Sequence, residues 1–185
     1  MAVEYAREGS VGYITLDNPP ANSYDLSFME ELSECVRSAA EDDGAGAVIL
    51  RSGSQRFFSA GADIKAFDAN SVEDNMRMIN QAHDGLSEIA STPKVFIAQI
   101  GAAALGGGLE MALACDLRFG AEGEYVLGLP EATLGLLPGN GGTQRLPPAS
   151  LRTCGSPLPE RRQGTADRGF RPRGPQKVRS SVPSP

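Results

Sequence analysis

The 185-residue sequence has little histidine, little cysteine and no long apolar run, and each shortage excludes a class of protein. With one histidine, His83, a multi-histidine metal site is excluded and a Ser-His-Asp triad has only one possible base. The three cysteines (Cys35, Cys115 and Cys154) form no C-x-x-C pair, which argues against a disulfide framework or a thiolate zinc site. No apolar run approaches the ~20 residues that span a bilayer, and the first residues lack the pattern of a secretory signal. We therefore expect a cytoplasmic chain without a metal site.

The charge of the chain is distributed very unevenly. Apolar residues make up 41% of the sequence and charged residues 22%, which is ordinary for a globular protein with a sizeable core. The net charge of −6, however, combines a net charge of −12 over residues 1–146 with +6 over residues 147–185. We therefore predict a folded core at residues 1–146, followed by a different kind of segment.

Residues 147–185 hold 8 of the 13 prolines and 8 of the 17 basic side chains, and no helical or strand period links their apolar residues. Such a segment buries too little surface to offset its ordering entropy, so we predict a disordered basic Pro/Arg-rich tail. Out-of-frame translation, a plain linker and a tail that binds nucleic acid are three interpretations of it. The basic residues are mixed with prolines and lack interleaved aromatic residues, which argues against nucleic-acid binding.

Strands alternate with helices along residues 1–146, which indicates an α/β fold with mostly parallel pairing. Ser27 and Glu30 form a capping box that predicts a helix from there to about residue 40. Residues 52–70 are predicted to be a long loop. The predicted strands are residues 11–16, 47–50, 94–100, 117–119 and 125–127, and the other predicted helices are residues 72–89 and 108–114. The apolar runs 47–50 and 94–100 are typical of strands that are covered on both faces.

The first candidate site is the glycine-rich segment 101–110, which follows a buried strand and opens a helix. It contains neither G-x-G-x-x-G nor G-K-[ST], so no phosphate-binding motif is met. Gly106, Gly107 and Gly108 permit close approach to the backbone, and a helix start offers unpaired N–H groups and a positive dipole end. These features suit a developing oxyanion, while tight helix–sheet packing is the alternative explanation.

Three further segments carry candidate chemistry. Residues 59–65 place small residues after a strand, where backbone N–H groups reach the surface or a loop simply turns into a helix. Glu110 lies in the first turn of a helix and Glu131 follows Pro130; each alone is ordinary, but together they could supply acid and base roles. Residues 136–146 form a rigid turn and a permissive loop, with Thr143 as a candidate helix cap. His83 is interpreted as a surface or half-buried residue and Cys115 as core.

In this order the segments resemble the crotonase superfamily, which is the enoyl-CoA hydratase/isomerase superfamily. The resemblance covers about residues 3–146. It is carried by S-A-G-A-D-I-K at 59–65, A-L-G-G-G-L-E at 104–110 with Cys115 and Asp116, L-P-E at 129–131 and P-G-N-G-G-T-Q-R-L at 138–146. It implies a ββα spiral core that binds acyl-CoA thioesters of lipid metabolism.

The resemblance also implies roles for individual residues. The N–H groups of Ala62 and Gly107 would hold the thioester oxygen, and Glu110 and Glu131 would be the two glutamates of the family hydratases, with Glu131 delivering the proton at Cα. No cofactor is implied, because coenzyme A is part of the substrate. The implied substrate-binding residues are Ala60, Ala62, Asp63, Ile64, Lys65, Gly106, Gly107, Pro130 and Gly139, of which 62–65 would line the adenine end of the CoA pocket.

The resemblance leaves the reaction itself open. Addition of water to trans-2-enoyl-CoA thioesters would use both glutamates. The alternatives are a Δ3,Δ2-enoyl-CoA isomerase, which would use Glu131 alone, and a non-catalytic chain that binds acyl-CoA.

Two departures from the family pattern shape further expectations. Residues 22–25 read Asn-Ser-Tyr-Asp where many members have Asn followed by Ala and an aliphatic residue. The family also continues beyond residue 146 with helices that complete the subunit, cover the site and build trimers. Residues 147–185 have no pattern for such helices, so we expect a chain truncated or frameshifted after about residue 146, with exposed apolar surface, marginal stability and a compromised trimer.

Overall fold

The computed structural model of the protein describes residues 1–151. In chain order its elements are β1 (Val3–Glu8), β2 (Val11–Leu16), β3 (Ser23–Tyr24), α1 (Leu26–Glu41), β4 (Ala47–Ser52), β5 (Phe57–Ser59), β6 (Gly61–Ala62), α2 (Ile64–Ala69), α3 (Val72–Ser91), β7 (Val95–Ile100), β8 (Ala103–Leu105), α4 (Gly107–Ala114), β9 (Leu117–Gly120), β10 (Leu127–Gly128), the 3₁₀ turn η1 (Glu131–Leu134) and α5 (Gly142–Leu151).

The main sheet has five strands in the order β1-β2-β4-β7-β9, of which only the β1–β2 pair is antiparallel. The predicted α/β fold with mostly parallel pairing is therefore confirmed. Burial alternates from residue to residue along the central strands. In β4, for example, Val48 and Leu50 are buried, whereas Ala47 and Ile49 are half-buried. The prediction that β4 and β7 are covered on both faces is wrong, because in the described residues only alternate positions of each strand are fully buried.

Two small parallel sheets lie beside the main one, with strand orders β10-β8-β5 and β3-β6. The prediction of a loop over residues 52–70 is wrong, since this stretch contains β5, β6 and α2. Strands of two or three residues are too short to show a hydrophobic period, and they form here by pairing with β8 and β3, which are distant in sequence.

Helices α1 and α3 pack against each other, and α1 also covers β1 and β2. The N-cap of α1 is Asp25, whose carboxylate accepts a hydrogen bond from Phe28 N. The predicted capping box at Ser27 and Glu30 is therefore wrong: Asp25 supplies the cap, so the helix begins before Ser27. Ser71 caps α3 in the same way, by accepting from Asp74 N.

The last described helix, α5, begins at Gly142 and ends at Leu151, so helical structure continues beyond residue 146, where the core is predicted to end. Thr143 lies inside the first turn of α5 rather than before it. The rest of the predicted tail, residues 152–185, lies outside the described residues. Within residues 1–151, no helix combines the length and the apolar character needed to cross a membrane.

Asn22 connects the ends of three strands from a fully buried position with a left-handed backbone, φ 50°. Its Nδ2 donates to Leu16 O (3.2 Å), Ser52 Oγ (2.8 Å) and Phe58 O (3.1 Å). Its Oδ1 accepts from Asn18 N at 2.7 Å. The ends of β2, β4 and β5 are thus held together by one side-chain amide.

Replacing Asn22 with Ala should lower the free energy of unfolding by about 3 kcal/mol, because two buried carbonyl groups lose a donor and Ala tolerates a left-handed backbone poorly. Urea unfolding at neutral pH measures the change. The matched control is Asn70→Ala, at an exposed residue whose side chain bonds only to Asn75 among the described contacts; its effect should stay within about 0.5 kcal/mol. Equal effects of the two variants would contradict this role of Asn22.

Candidate active site

Strand β6 lies directly against the turn that opens α4. Gly61 has φ +89°, and a Cβ built on it would stand 2.9 Å from Leu105 O and 3.1 Å from Gly107 N. Both the backbone angle and the close approach require glycine. The structure therefore brings the 59–65 segment and the glycine triplet together, and it places Ala62 and Gly107 beside each other.

The backbone geometry indicates where the amides of Ala62 and Gly107 point. Asp63 N donates to Tyr24 O at 2.8 Å, and successive amides of an extended strand point in opposite directions. The Ala62 N–H group therefore points away from β3. Gly107 is the first residue of α4, where an amide has no acceptor within its own helix. The amides of Ala62 and Gly107, from separate segments, thus both belong to the contact between β6 and the positive end of one helix.

At Gly108, the glycine is explained by tight packing of the helix on the sheet, which is the alternative explanation for the glycine triplet. A Cβ on Gly108 would stand only 2.3 Å from Ser59 O, so α4 packs on the end of β5 without room for a side chain. The Ser59 hydroxyl is itself buried, donating to Asn22 O at 2.7 Å and accepting from Gly61 N at 3.1 Å. Tight packing at Gly108 is what holds Gly61 close to the helix start.

Glu110 is a buried carboxylate, with 1% of its surface exposed. Its Oε1 accepts from Asn140 N at 2.9 Å and from Gly142 N at 2.7 Å, which joins α4 to the loop before α5. Burial raises the pKa of Glu110, and the two amides and the positive charge of Arg145 oppose that rise. The side chain is therefore fixed in orientation and is held more strongly in its protonated form than a surface glutamate.

Glu131 begins η1 and lies at the opening of α4. A Cβ on Gly106, which has φ +53°, would stand 2.9 Å from Glu131 Oε1. Among residues 1–151, the other oxygen, Oε2, is buried and has no hydrogen-bond partner. Burial raises the pKa of Glu131, and the negative charge of Glu110 raises it further. The structure therefore brings the two predicted glutamates into one electrostatic environment at the start of α4.

Two residues of this region were missed by sequence reasoning. Tyr24 is buried, and a Cβ on Gly107 would stand 2.1 Å from its hydroxyl oxygen, so the phenol lies on the first residue of α4. Asn140 Nδ2 donates to that hydroxyl at 2.8 Å. Burial raises the pKa of Tyr24 strongly, as do the charges of Glu110 and Glu131. Asn140 stands inside a motif that the sequence singles out, and Tyr24 lies in the 22–25 segment that departs from the family pattern, but the sequence assigned neither residue a role.

The remaining predicted binding residues of the 59–65 segment lie at the surface end of β6 and on α2. Asp63 caps α2, because its Oδ1 accepts from Lys65 N and Ala66 N. Ile64 is 59% exposed, and Lys65 is exposed as well. Ala60 N donates to Ala21 O at 3.0 Å.

The other predicted residues are placed as follows. Pro130 is exposed and forms the N-cap of η1, and Gly139 is exposed in the loop that leads to Asn140. His83 is exposed on α3, as predicted, and Cys115 is buried in the core, also as predicted. Pro130 and Gly139 thus flank the glutamates from the surface side.

Two open surface depressions lie apart from the glutamates. One, of about 410 Å³, is lined by residues that include Arg56 and Tyr125, and the other, of about 360 Å³, by residues that include Arg51 and Gln99. Neither is lined by Glu110 or Glu131. The two carboxylates belong to the packed region around the start of α4.

The sequence matches the family described as enoyl-CoA hydratase/isomerase over residues 6–154. A probable enoyl-CoA hydratase of Bacillus subtilis (strain 168) is 46% identical over 147 residues, which cover 79% of this chain and 56% of that protein. The fatty acid oxidation complex subunit alpha of Shewanella oneidensis is 40% identical over 145 residues, which cover 76% of this chain and 21% of that protein.

The fold is similar to a crystal structure of an enoyl-CoA hydratase from Bacillus anthracis, with a TM-score of 0.76 and 35% sequence identity. That match covers 80% of this chain and 58% of the other. The chain spans at most a little more than half the length of these relatives.

Replacing Glu110 with Gln tests the electrostatic consequence of its burial. Because the folded chain raises the pKa of Glu110 above the value in the unfolded chain, this carboxyl adds stability at pH values below its unfolded pKa. That contribution is lost as the pH rises through the folded pKa. Urea unfolding should therefore show E110Q gaining stability relative to the parent chain between about pH 4 and pH 7.

Glu30→Gln, on an exposed position of α1, is the matched control for removal of one carboxylate. It should show no comparable gain across this pH range. A stability difference between E110Q and the parent chain that stays flat, or that falls as the pH rises, would show that burial does not govern the titration of Glu110.

Proposed function

Because this chain belongs to the enoyl-CoA hydratase/isomerase family and has the α/β fold of the crotonase superfamily, we propose that it is an enoyl-CoA hydratase-like lyase that adds water to trans-2-enoyl-CoA thioesters. One observation carries the proposal. Two buried or half-buried glutamates, Glu110 and Glu131, lie at the start of α4, where β6, the strand of Gly61 and Ala62, packs against the helix.

In the proposed reaction, the amides of Ala62 and Gly107 hold the thioester oxygen. When water attacks Cβ, electrons move onto that oxygen and an enolate forms. The two amides and the positive end of α4 stabilise the new negative charge. An oxyanion donor of this type typically lowers the barrier by about 3 kcal/mol, because it is already oriented before the charge develops.

The two glutamates divide the proton transfers. We assign Glu110 to position and deprotonate the attacking water, since its Oε1 is already held by the amides of Asn140 and Gly142 and its orientation is set. We assign Glu131 to deliver a proton to Cα as the Cα–H bond forms. Burial raises the pKa of Glu131 and leaves one of its oxygens without a hydrogen-bond partner among residues 1–151; both features favour the protonated carboxyl that a general acid needs.

The proposal needs no metal or redox cofactor, and coenzyme A enters as part of the substrate. Residues 62–65, at the surface end of β6 and on α2, are the proposed contact to the adenine end of the CoA moiety. A cytoplasmic location and a compromised trimer remain predictions from the sequence.

Hydration of crotonyl-CoA by the purified 185-residue chain, followed through loss of the enoyl absorbance, tests the proposal. E110Q and E131Q, made separately, should each lower kcat by about 10²-fold or more, because each removes one proton-transfer group. Glu30→Gln, at an exposed position on α1, is the control and should retain the parent rate. Full activity in both glutamate variants would refute the proposed mechanism.

A Δ3,Δ2-enoyl-CoA isomerase is the second candidate, and one observation favours it. The Oε2 of Glu131 is buried and has no hydrogen-bond partner within the described part of the chain, whereas the Oε1 of Glu110 already accepts from two amides. An isomerase would move a proton between two carbons with Glu131 and would retain activity in E110Q. Turnover of a 3-enoyl-CoA that survives E110Q and is lost in E131Q would favour it over the hydratase.

The third outcome is binding without turnover, which the length of the chain relative to its relatives keeps open. Isothermal titration with crotonyl-CoA distinguishes a non-catalytic acyl-CoA-binding chain from one that does not bind. Measurable turnover of crotonyl-CoA would refute the non-catalytic alternative.

A further inference from the structure

Asn140 connects a catalytic candidate to a tyrosine on another element. Its backbone N–H donates to Glu110 Oε1 at 2.9 Å, and its side-chain Nδ2 donates to Tyr24 Oη at 2.8 Å. Tyr24 and Asn140 are 5% and 6% exposed, so water competes little for these bonds. A single buried residue thus links the carboxylate of Glu110 to the phenol of Tyr24.

The structure holds Tyr24 more firmly than it holds the loop that carries Asn140. Tyr24 belongs to β3, which pairs with β6, and its ring packs on Gly107 and lies 6.4 Å from the Phe28 ring centroid. By contrast, the loop that carries Asn140 is mostly exposed, with Leu137 at 82% exposure. Tyr24 is therefore the rigid end, and the loop is the end that needs to be held.

Few contacts hold the side chain of Asn140 in place. Its Oδ1 is buried and has no hydrogen-bond partner, so among the described contacts its amide group is held through the bond to Tyr24. The backbone carbonyl of Asn140 accepts from Arg145 Nη1 at 2.7 Å, which ties the loop to α5 but leaves the side chain free to turn. Loss of the Tyr24 oxygen would leave the whole side-chain amide without a partner.

We propose that Tyr24 is a positioning residue, whose hydroxyl oxygen holds Asn140 and thereby holds the amides of the 139–142 loop on Glu110. This inference deepens the proposed function, because it concerns the orientation of the carboxylate assigned to the water. It departs from the family pattern stated above, in which an aliphatic residue often stands at this position and offers no acceptor.

The pKa of Glu110 depends both on the charged groups around it and on the loop amides that bind it. A change in that pKa can therefore reveal a change in the position of the loop. Arg145 of α5 and His83 of α3 favour the ionised carboxylate, as do the amides of Asn140 and Gly142. Glu131 of η1 is the neighbouring acid, whose own pKa is raised by the charge of Glu110, and the Tyr24 phenol is neutral at ordinary pH. If the amide bonds loosen while these charges stay in place, the pKa of Glu110 must rise further.

Tyr24→Phe keeps the ring on Gly107 and removes the oxygen that accepts from Asn140. In a chain labelled with ¹³C at the glutamate carboxyl carbon, an NMR titration should show the pKa of Glu110 raised by about half a unit or more, with E110Q identifying the signal. Asn140→Ala keeps the backbone N–H but removes Nδ2, and it should produce the same shift. Tyr5→Phe, which removes a hydroxyl bonded to Asp42 on the other side of the fold, is the control and should leave the titration unchanged.

Where the chain turns over crotonyl-CoA, Y24F and N140A should each lower kcat by about fivefold with little change in KM. The double variant should be no worse than either single one, because Tyr24 acts through Asn140. Additive losses would overturn the inference, since they would mean that Tyr24 acts on the substrate or on the fold by another route.

The NMR titration separates this inference from the proposed function. Absence of hydration by the parent chain would count against the hydratase proposal and would leave the pKa test intact. An unchanged Glu110 titration in both Y24F and N140A, or an equal shift in Y5F, would overturn the positioning role even in an active hydratase. Far-UV circular dichroism verifies that each variant is folded. If Y24F does not fold, the Glu110 titration of N140A is the test.

Discussion

The site depends on the close approach of β6 to the first turn of α4. Gly61 reaches this position only with a left-handed backbone and without a side chain, and Gly108 allows α4 to settle on the carbonyl of Ser59. A methyl group at either residue would overlap backbone atoms that have little freedom to move. Because of this contact, Ala62 and Gly107 belong to the same packed region although 45 positions separate them in the chain. The glycines are thus packing residues first, and the pair of adjacent amides is a consequence of that packing.

The same packing explains the electrostatics of the two glutamates. Glu110 points from α4 into a buried region, where desolvation disfavours its charge and two amides of the neighbouring loop partly compensate. Glu131 lies at the start of the helix, and one of its oxygens is buried without a hydrogen-bond partner in the described part of the chain, which is costly for a group with only a structural role. Two carboxyl groups with different surroundings are what separate acid and base roles require.

Some elements of this fold could be predicted from the local sequence, and others could not. The spans of α3 and β2 were predicted closely, because periods of 3.6 and 2 are visible within a few residues. Strands β5 and β6 were missed, since two or three residues carry no period, and the cap of α1 was assigned to Ser27 although Asp25 supplies it. Glu110 and Glu131 were identified as candidates because each stands beside a recognisable motif, whereas Tyr24 was noted only as a departure from a pattern.

By itself, the sequence determined the α/β alternation, the family and the two candidate carboxylates, since these follow from short segments in a fixed order. Only the tertiary structure decided that Tyr24 touches Gly107 and accepts a hydrogen bond from Asn140, 116 positions away. The physical reason is that a hydrogen bond between buried side chains depends on the final placement of β3 and the loop before α5. No local propensity of either segment encodes that distance.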